Sequence, residues 1–122
     1  MANETTLRRT VGQALAHYLA VQYSEFEGER RRLIPGVWGI FGHGNVAGFG
    51  QALQEYGDRL DLPLYRPQNE QGQVHAAAAF ARHADRLATF ACTASVGPGS
   101  TNMITGAALA TINRLPVLLL PS

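Results

Sequence analysis

A single cysteine, Cys92, is the only thiol in this 122-residue chain. An internal disulfide is thereby excluded, as is any metal site built on several cysteines, and a reducing compartment fits best. Neither sign of charge dominates. Ten Lys and Arg against nine Asp and Glu leave a formal net charge of +1, which gives no ground for nucleic acid or an anionic membrane surface as partner. No apolar run reaches the roughly 20 residues of a membrane span. The polar start Met1-Ala2-Asn3-Glu4-Thr5 lacks the apolar core of a signal peptide, so a cytoplasmic protein is expected. Repeats at solenoid spacing and low-complexity tracts are also missing. The length fits one domain with a real core.

What is present reads as strands alternating with helices. Residues 1–9 are polar and expected to be flexible. From Thr10, a cap residue, apolar side chains at Val11, Leu15, Tyr18 and Leu19 form a helical stripe. Ser24 to Arg32 mixes Glu25, Glu27 and Glu29 with Arg30, Arg31 and Arg32 around Gly28, and reads as a solvated loop. After Pro35-Gly36, Val37 to Phe41 reads as a buried strand. It runs into Gly42-His43-Gly44-Asn45 and a helix from Val46 to Tyr56, closed by Gly57. A second strand, Leu62 to Tyr65, leads to an alanine-rich helix capped by Asn69. A third strand spans Leu87 to Thr93, and Ser95 to Asn102 opens a helix running through Ile112. Leu115-Pro116 breaks that helix, and Val117 to Leu120 is a fourth, fully apolar strand. Continuous apolar strands alternating with helices predict an α/β fold, a three-layer α/β/α open parallel sheet. The last strand is too apolar for a solvent-facing terminus, so a piece of a longer polypeptide is expected.

In a parallel sheet the loops Gly42 to Asn45, Asn69 to Gly72 and Ser95 to Asn102 share the carboxyl edge, where open α/β sheets hold ligands. Glu70 has two readings there. In the first turn after Asn69 the helix dipole alone favours a negative charge, yet the same place suits an acid–base group. Gly97-Pro98-Gly99 is either punctuation before a helix capped by Ser100 or Thr101, or a surface free of side chains against which a ligand packs. Gly42-x-Gly44-x-x-x-Gly48 is close to a dinucleotide fingerprint but has one residue too many. The second strand ends in Tyr65-Arg66 instead of the acidic residue that would hold a ribose hydroxyl. A non-catalytic nucleotide-binding or regulatory module is the alternative from another class.

Taken together, Asn69-Glu70-Gln71-Gly72-x-x-His75-Ala76-Ala77 and Ser95-x-Gly97-Pro98-Gly99-x-x-Asn102 resemble one family. The pattern is that of the N-terminal, pyrimidine-binding domain of the thiamine-diphosphate enzymes, in the branch of acetolactate synthase and pyruvate oxidase. The likeness runs from about Thr10 to Ser122. Ile40-Phe41-Gly42-His43-Gly44-Asn45 together with Asn69-Glu70-Gln71-Gly72 is most similar to the branch's hydrolases that open cyclic 1,2-diones in inositol catabolism. Many relatives carry histidine where Asn69 stands, which separates this pattern from a plain acetolactate synthase. A carboligase or decarboxylase like acetolactate synthase is the alternative within the branch.

The resemblance implies roles. Glu70 would be catalytic, hydrogen-bonding a ring nitrogen of the cofactor's aminopyrimidine and favouring its imino tautomer. A carboxylate does this when burial raises its proton affinity. Gly97, Pro98, Gly99 and Asn102 would bind thiamine diphosphate alongside Glu70. His43 would face the reacting centre as proton donor or substrate ligand, and Asn45 and Gln71 would touch substrate. For Gln71 and His75, packing or a supporting hydrogen bond is the other reading. The family holds the cofactor's diphosphate through Mg2+, on a separate domain marked by Gly-Asp-Gly. That motif does not occur here, and Asp58, Asp61 and Asp85 lie in other contexts, so no metal ligand is expected in this chain. In the family the cofactor lies between subunits. Half a site is therefore implied, with the rest of a longer enzyme and a homo-oligomer of at least two subunits to complete it. These residues alone would be inactive and bind cofactor weakly. The final strand and the alanine-rich helix are the faces expected to associate.

Overall fold

Thr10 opens the first helix as expected. In the computed structural model, which describes residues 6–122, its hydroxyl accepts from Gln13 N while Gln13 Oε1 accepts from Thr10 N, a reciprocal cap. The helix, α1 (Val11–Ala20), turns Ala16, Leu19 and Ala20 inward. The expected flexible segment 1–9 lies in part outside the described residues; 6–9 have no regular structure and are exposed.

The stretch read as a solvated loop is instead an antiparallel hairpin, β1 (Tyr23–Phe26) and β2 (Glu29–Arg32), which pairs Glu25 with Arg30. Its turn sets Glu27 and Gly28 at φ 53° and 79°, two successive left-handed residues of the kind that suits strand twist in a two-residue hairpin. Mixed charge marked exposure correctly; opposite charges on facing strands also support the pairing. Arg32 anchors the hairpin. Its guanidinium donates to Asp61 Oδ2 at 2.7 Å and to the Ala20 carbonyl at 3.2 Å, so a cation lies where helix ends collect unpaired carbonyls.

Four short strands make the main sheet: β3 (Val37–Gly39), β4 (Leu64–Tyr65), β5 (Ala91–Thr93) and β6 (Leu118–Leu120). All pairs are parallel, in the order β4-β3-β5-β6. Val37, Ala91 and Leu118 share one register level and Trp38, Cys92 and Leu119 the next. Alternation sends the first set, with Leu120, to a core built on α1, and the second set to a core with Val74, Ala77 and Met103. The strands are shorter than the apolar runs suggested. Leu87 to Phe90 precede β5 because Asp85 and Arg86, at φ 52° and 65°, turn the chain there, and Thr89 Oγ1 donates to the Pro116 carbonyl at 2.7 Å.

Helices cover both faces, giving the three layers α/β/α. On the α1 side a helical run comprises α2 (His43–Asn45), a π-helical stretch Val46–Gly50 and α3 (Gln51–Leu60). It begins earlier than expected and does not close at Gly57. Gly57 lies buried within α3, where its carbonyl accepts from Leu62 N at 2.9 Å, and Asp61 in the left-handed region (φ 51°) ends the helix. On the other side lie α4 (Glu70–His83), α5 (Pro98–Thr101) and α6 (Ile104–Ile112). The single helix expected through Ile112 is broken after Thr101, where Met103 N tightens onto the Ser100 carbonyl at 3.2 Å.

The alanine face of α4 is not free for association. Ala77, Ala78 and Ala81 are fully buried within the chain, the last two in one cluster with Ala110 of α6. Cys92 is equally buried, and burial pushes its thiol up to about 12, which removes it as a nucleophile near neutral pH.

The α4–α6 contact depends on a missing side chain. A Cβ on Gly106 would stand 2.6 Å from both Cβ and Cγ1 of Val74, and a β-branched residue locked in a helix has no other rotamer at low cost. Gly106→Ala is expected to destabilise the protein by about 1–3 kcal/mol, measured by urea unfolding against the parent.

Candidate functional site

The parallel sheet brings the ends of β3 and β5 side by side. Ile40 N donates to the Thr93 carbonyl, so the loops that follow leave the sheet in contact. A Cβ on Gly42 would overlap Ser95 Cβ; the two loops meet only because Gly42 has none. Ser95 also packs within its own loop, since a Cβ on Gly99 would stand 2.7 Å from its Oγ.

Glu70 enters this edge as the first residue of α4. Asn69 caps the helix, its Oδ1 accepting from Gly72 N at 2.7 Å, and that fixes where the Glu70 side chain starts. Across the edge Gly97 adopts φ 69° and ψ −117°, a conformation open to glycine at little cost. It sets Pro98 at the first position of α5 and turns Asn102 back toward α4. Asn102 Nδ2 donates to Glu70 Oε2 at 3.0 Å. The other oxygen, Oε1, faces Gly99, 3.0 Å from where a Cβ would be. Glu70, Pro98, Gly99, Thr101 and Asn102 line an open concavity of about 500 Å³.

The remaining candidates spread around this centre. Gly97 is exposed at the turn, and His43 is exposed at the start of α2; neither lines the concavity. Asn45 is half-buried, and its Nδ2 donates to Thr93 Oγ1 and to the Ala94 carbonyl, the latter at 3.0 Å. Gln71 pairs with His75 along α4, their Nε2 atoms 3.3 Å apart. Among the described residues, no group of three or more His, Cys, Asp or Glu could hold a metal ion. Hollows of about 470 Å³ beside α3 and about 460 Å³ under the hairpin have no contact with Glu70. The carboxylate, not volume, marks the site.

Two contributors went unrecognised in the sequence. Thr93 and Gln73 are fully buried, and Gln73 Nε2 donates to the Thr93 carbonyl at 3.0 Å. A signal existed, because each is a polar residue in an apolar or alanine-rich run, and buried polar groups are there for a partner.

A carboxylate braced by an amide and flanked by bare glycine backbone, at the carboxyl edge of a parallel sheet, defines a cofactor-binding α/β domain. The family described as "Thiamine pyrophosphate enzyme, N-terminal TPP binding domain" matches residues 33–122, and the chain belongs to it. Among its relatives is 3D-(3,5/4)-trihydroxycyclohexane-1,2-dione hydrolase 2 of Bacillus cereus (strain ZK / E33L), 55% identical over 116 residues, which are 95% of this chain and 18% of the relative. The 3D-(3,5/4)-trihydroxycyclohexane-1,2-dione hydrolase of Bacillus thuringiensis (strain Al Hakam) is 54% identical, and that of Bacillus cereus (strain AH820) 53% identical, with the same coverage. The chain thus spans about a fifth of the length of these relatives. Family membership supersedes the dinucleotide reading of the Gly42 loop.

The residues present fit thiamine diphosphate. Glu70 Oε1 accepts no hydrogen bond among the described residues and lies beside Gly99 at the open concavity, where a nitrogen-bearing ring would find an acceptor. An added methyl tests that fit. Gly99→Ala would displace only the ends of two flexible side chains, Glu70 and Ser95, so it should cost less than about 1 kcal/mol of stability. In the full-length protein with Mg2+, calorimetric affinity for thiamine diphosphate should fall by about tenfold, the scale of a small misplacement in a site.

Proposed function

We propose that the longer protein containing this domain is a thiamine-diphosphate-dependent hydrolase of carbon–carbon bonds, which opens the ring of trihydroxycyclohexane-1,2-dione in inositol catabolism. The observation that carries the cofactor half of this reading is the Asn102–Glu70 hydrogen bond, 3.0 Å long. It joins the two motifs at one point and leaves Glu70 Oε1 free beside Gly99. The substrate half is supported by relatives 53–55% identical whose names state that hydrolysis.

Bound thiamine diphosphate supplies a nucleophilic carbon and an electron sink for cleaving a bond next to a carbonyl. Glu70 would hold the aminopyrimidine by a hydrogen bond at Oε1, and Asn102, bonded to Oε2, would keep the carboxylate from rotating away. Pro98 and Gly99 would offer a proline ring and backbone to the pyrimidine, with Gly97 forming the turn that places them. His43, on the same edge, reaches the substrate side as proton donor or ligand, with Gln71 and Asn45 in the surrounding shell. Mg2+ and the diphosphate are assigned to residues beyond this chain, and residues 10–122 to the pyrimidine-binding part.

A covering surface is needed. This chain leaves Glu70 half-buried beside an open concavity, with Val96 63% and Ile104 61% exposed. Desolvation favours the protonated form of a carboxylate. A second subunit, or another domain of the same enzyme, laid on this edge would provide it. The assembly is assigned to the cytoplasm.

The test is loss of the dione with the full-length protein, with and without thiamine diphosphate and Mg2+, using pyruvate as comparison substrate. Cofactor-dependent loss of dione is expected. Glu70→Gln should lower that turnover by at least about a hundredfold, the size of a general acid–base contribution, with a change in stability within about 1 kcal/mol. Turnover of pyruvate alone would move the enzyme to the carboligases. Activity on neither substrate, or a Glu70→Gln variant as active as the parent, would defeat the proposal.

A further inference from the structure

Asn45 lies on the loop that carries His43, so a role as substrate ligand follows from the sequence. Its geometry gives it another. The Asn45 amide nitrogen donates to Thr93 Oγ1 and to the Ala94 carbonyl, which engages both of its hydrogens. Both acceptors belong to the end of β5, and Thr93 is fully buried. The Thr93 carbonyl separately accepts from Gln73 Nε2 of α4 at 3.0 Å and from Ile40 N at 3.3 Å. One residue therefore ties three elements. Its side chain holds the helix start bearing His43, and its backbone holds the helix that begins with Glu70 and the end of β3.

We infer that Thr93 and Asn45 are positioning residues, forming a latch that fixes His43 relative to Glu70 across the site. This rests on the reading of Glu70 and His43 given above. Two features make it specific. Among the described residues, the His43 side chain makes no hydrogen bond of its own, and α2 is one turn leading into a π-helical stretch, a geometry less regular than an α-helix. The chain entering α2 is Gly42, which has no side chain to pin it. The Asn45 amide is thus the side-chain anchor of this turn to the sheet.

The bond at the Thr93 side chain is separable by substitution from those at its carbonyl. Thr93→Val keeps the shape and the backbone carbonyl, hence the hold on Gln73 and Glu70's helix, and removes one of the two acceptors for Asn45, leaving the Ala94 carbonyl. Thr93→Ser keeps that acceptor. Full-length protein carrying Thr93→Val, Thr93→Ser, His43→Ala, and His43→Ala with Thr93→Val is compared in dione turnover. Without cofactor, hydrogen–deuterium exchange of residues 42–46 is followed by mass spectrometry. Thr93→Val should speed exchange of that segment about tenfold, as local opening becomes easier, and lower kcat about tenfold through a displaced side chain. Thiamine diphosphate affinity should stay at the parent value. Thr93→Ser should restore exchange and kcat, and Thr93→Val should cost nothing further once His43 is alanine. Unchanged exchange in Thr93→Val, a serine variant that behaves like valine, or losses that add to His43→Ala would overturn the latch. If the parent does not consume the dione, the functional reading fails, and the exchange comparison still decides the latch alone.

Discussion

The parallel register of β3, β5 and β6 is the constraint on which the rest depends. Val37, Ala91 and Leu118 lie level, as do Trp38, Cys92 and Leu119, so β3 and β5 end together at Gly39 and Thr93. Parallel strands must be joined by crossovers, and every strand then delivers its following loop to the same edge. With three-residue strands the ladder itself is slight. The register is held by the two apolar layers, because a slip of one residue would turn Cys92 and Ala91 each toward the wrong helices. The meeting of Gly42 with Ser95 follows from that alignment.

Within this frame Glu70 is placed by backbone more than by its own contacts. Asn69 caps the helix, Val74 and the alanines bury it, and Gly106 lets α6 approach closely, while among the described residues the carboxylate itself has a single side-chain partner, Asn102. Asn102 thus fixes which carboxylate oxygen is engaged and leaves Oε1 beside Gly99.

What could be read from the sequence was what local chemistry dictates. The Asn69 cap, the turn at Gly97, the apolar strands and the resemblance carried by Glu70, Gly97-Pro98-Gly99 and Asn102 all lie in contiguous motifs, and the sheet and its order of elements follow from them. The hairpin was hidden because its strands are exposed on both faces, so no apolar alternation marks them; Glu25 opposite Arg30 is visible only once the chains pair. Gly57 misled for a related reason. Glycine signals a helix end only when the chain stops there, and here its carbonyl receives Leu62 from beyond the helix. The bond from Asn45 to Thr93 spans 48 residues, and nothing local announces it except a threonine ending an apolar strand.

The packing also bears on which elements belong to the core. The family match begins at residue 33, after α1 and the hairpin, yet Ala16 and Leu19 of α1 are 0% and 1% exposed. They share one core with Val37, Phe49, Leu53 and Ala91. Stripping α1 away would open the face of the sheet beneath β3 and β5 to water, at roughly 1.5–3 kcal/mol for each large side chain uncovered. The hairpin is attached differently, through Arg32 and the hydrogen bond from Ser24 Oγ to the Leu87 carbonyl, with most of its residues exposed. The alignment to the relatives covers 116 of the 122 residues and so reaches well into both elements. Packing therefore makes α1 part of the core and the hairpin a surface element laid upon it.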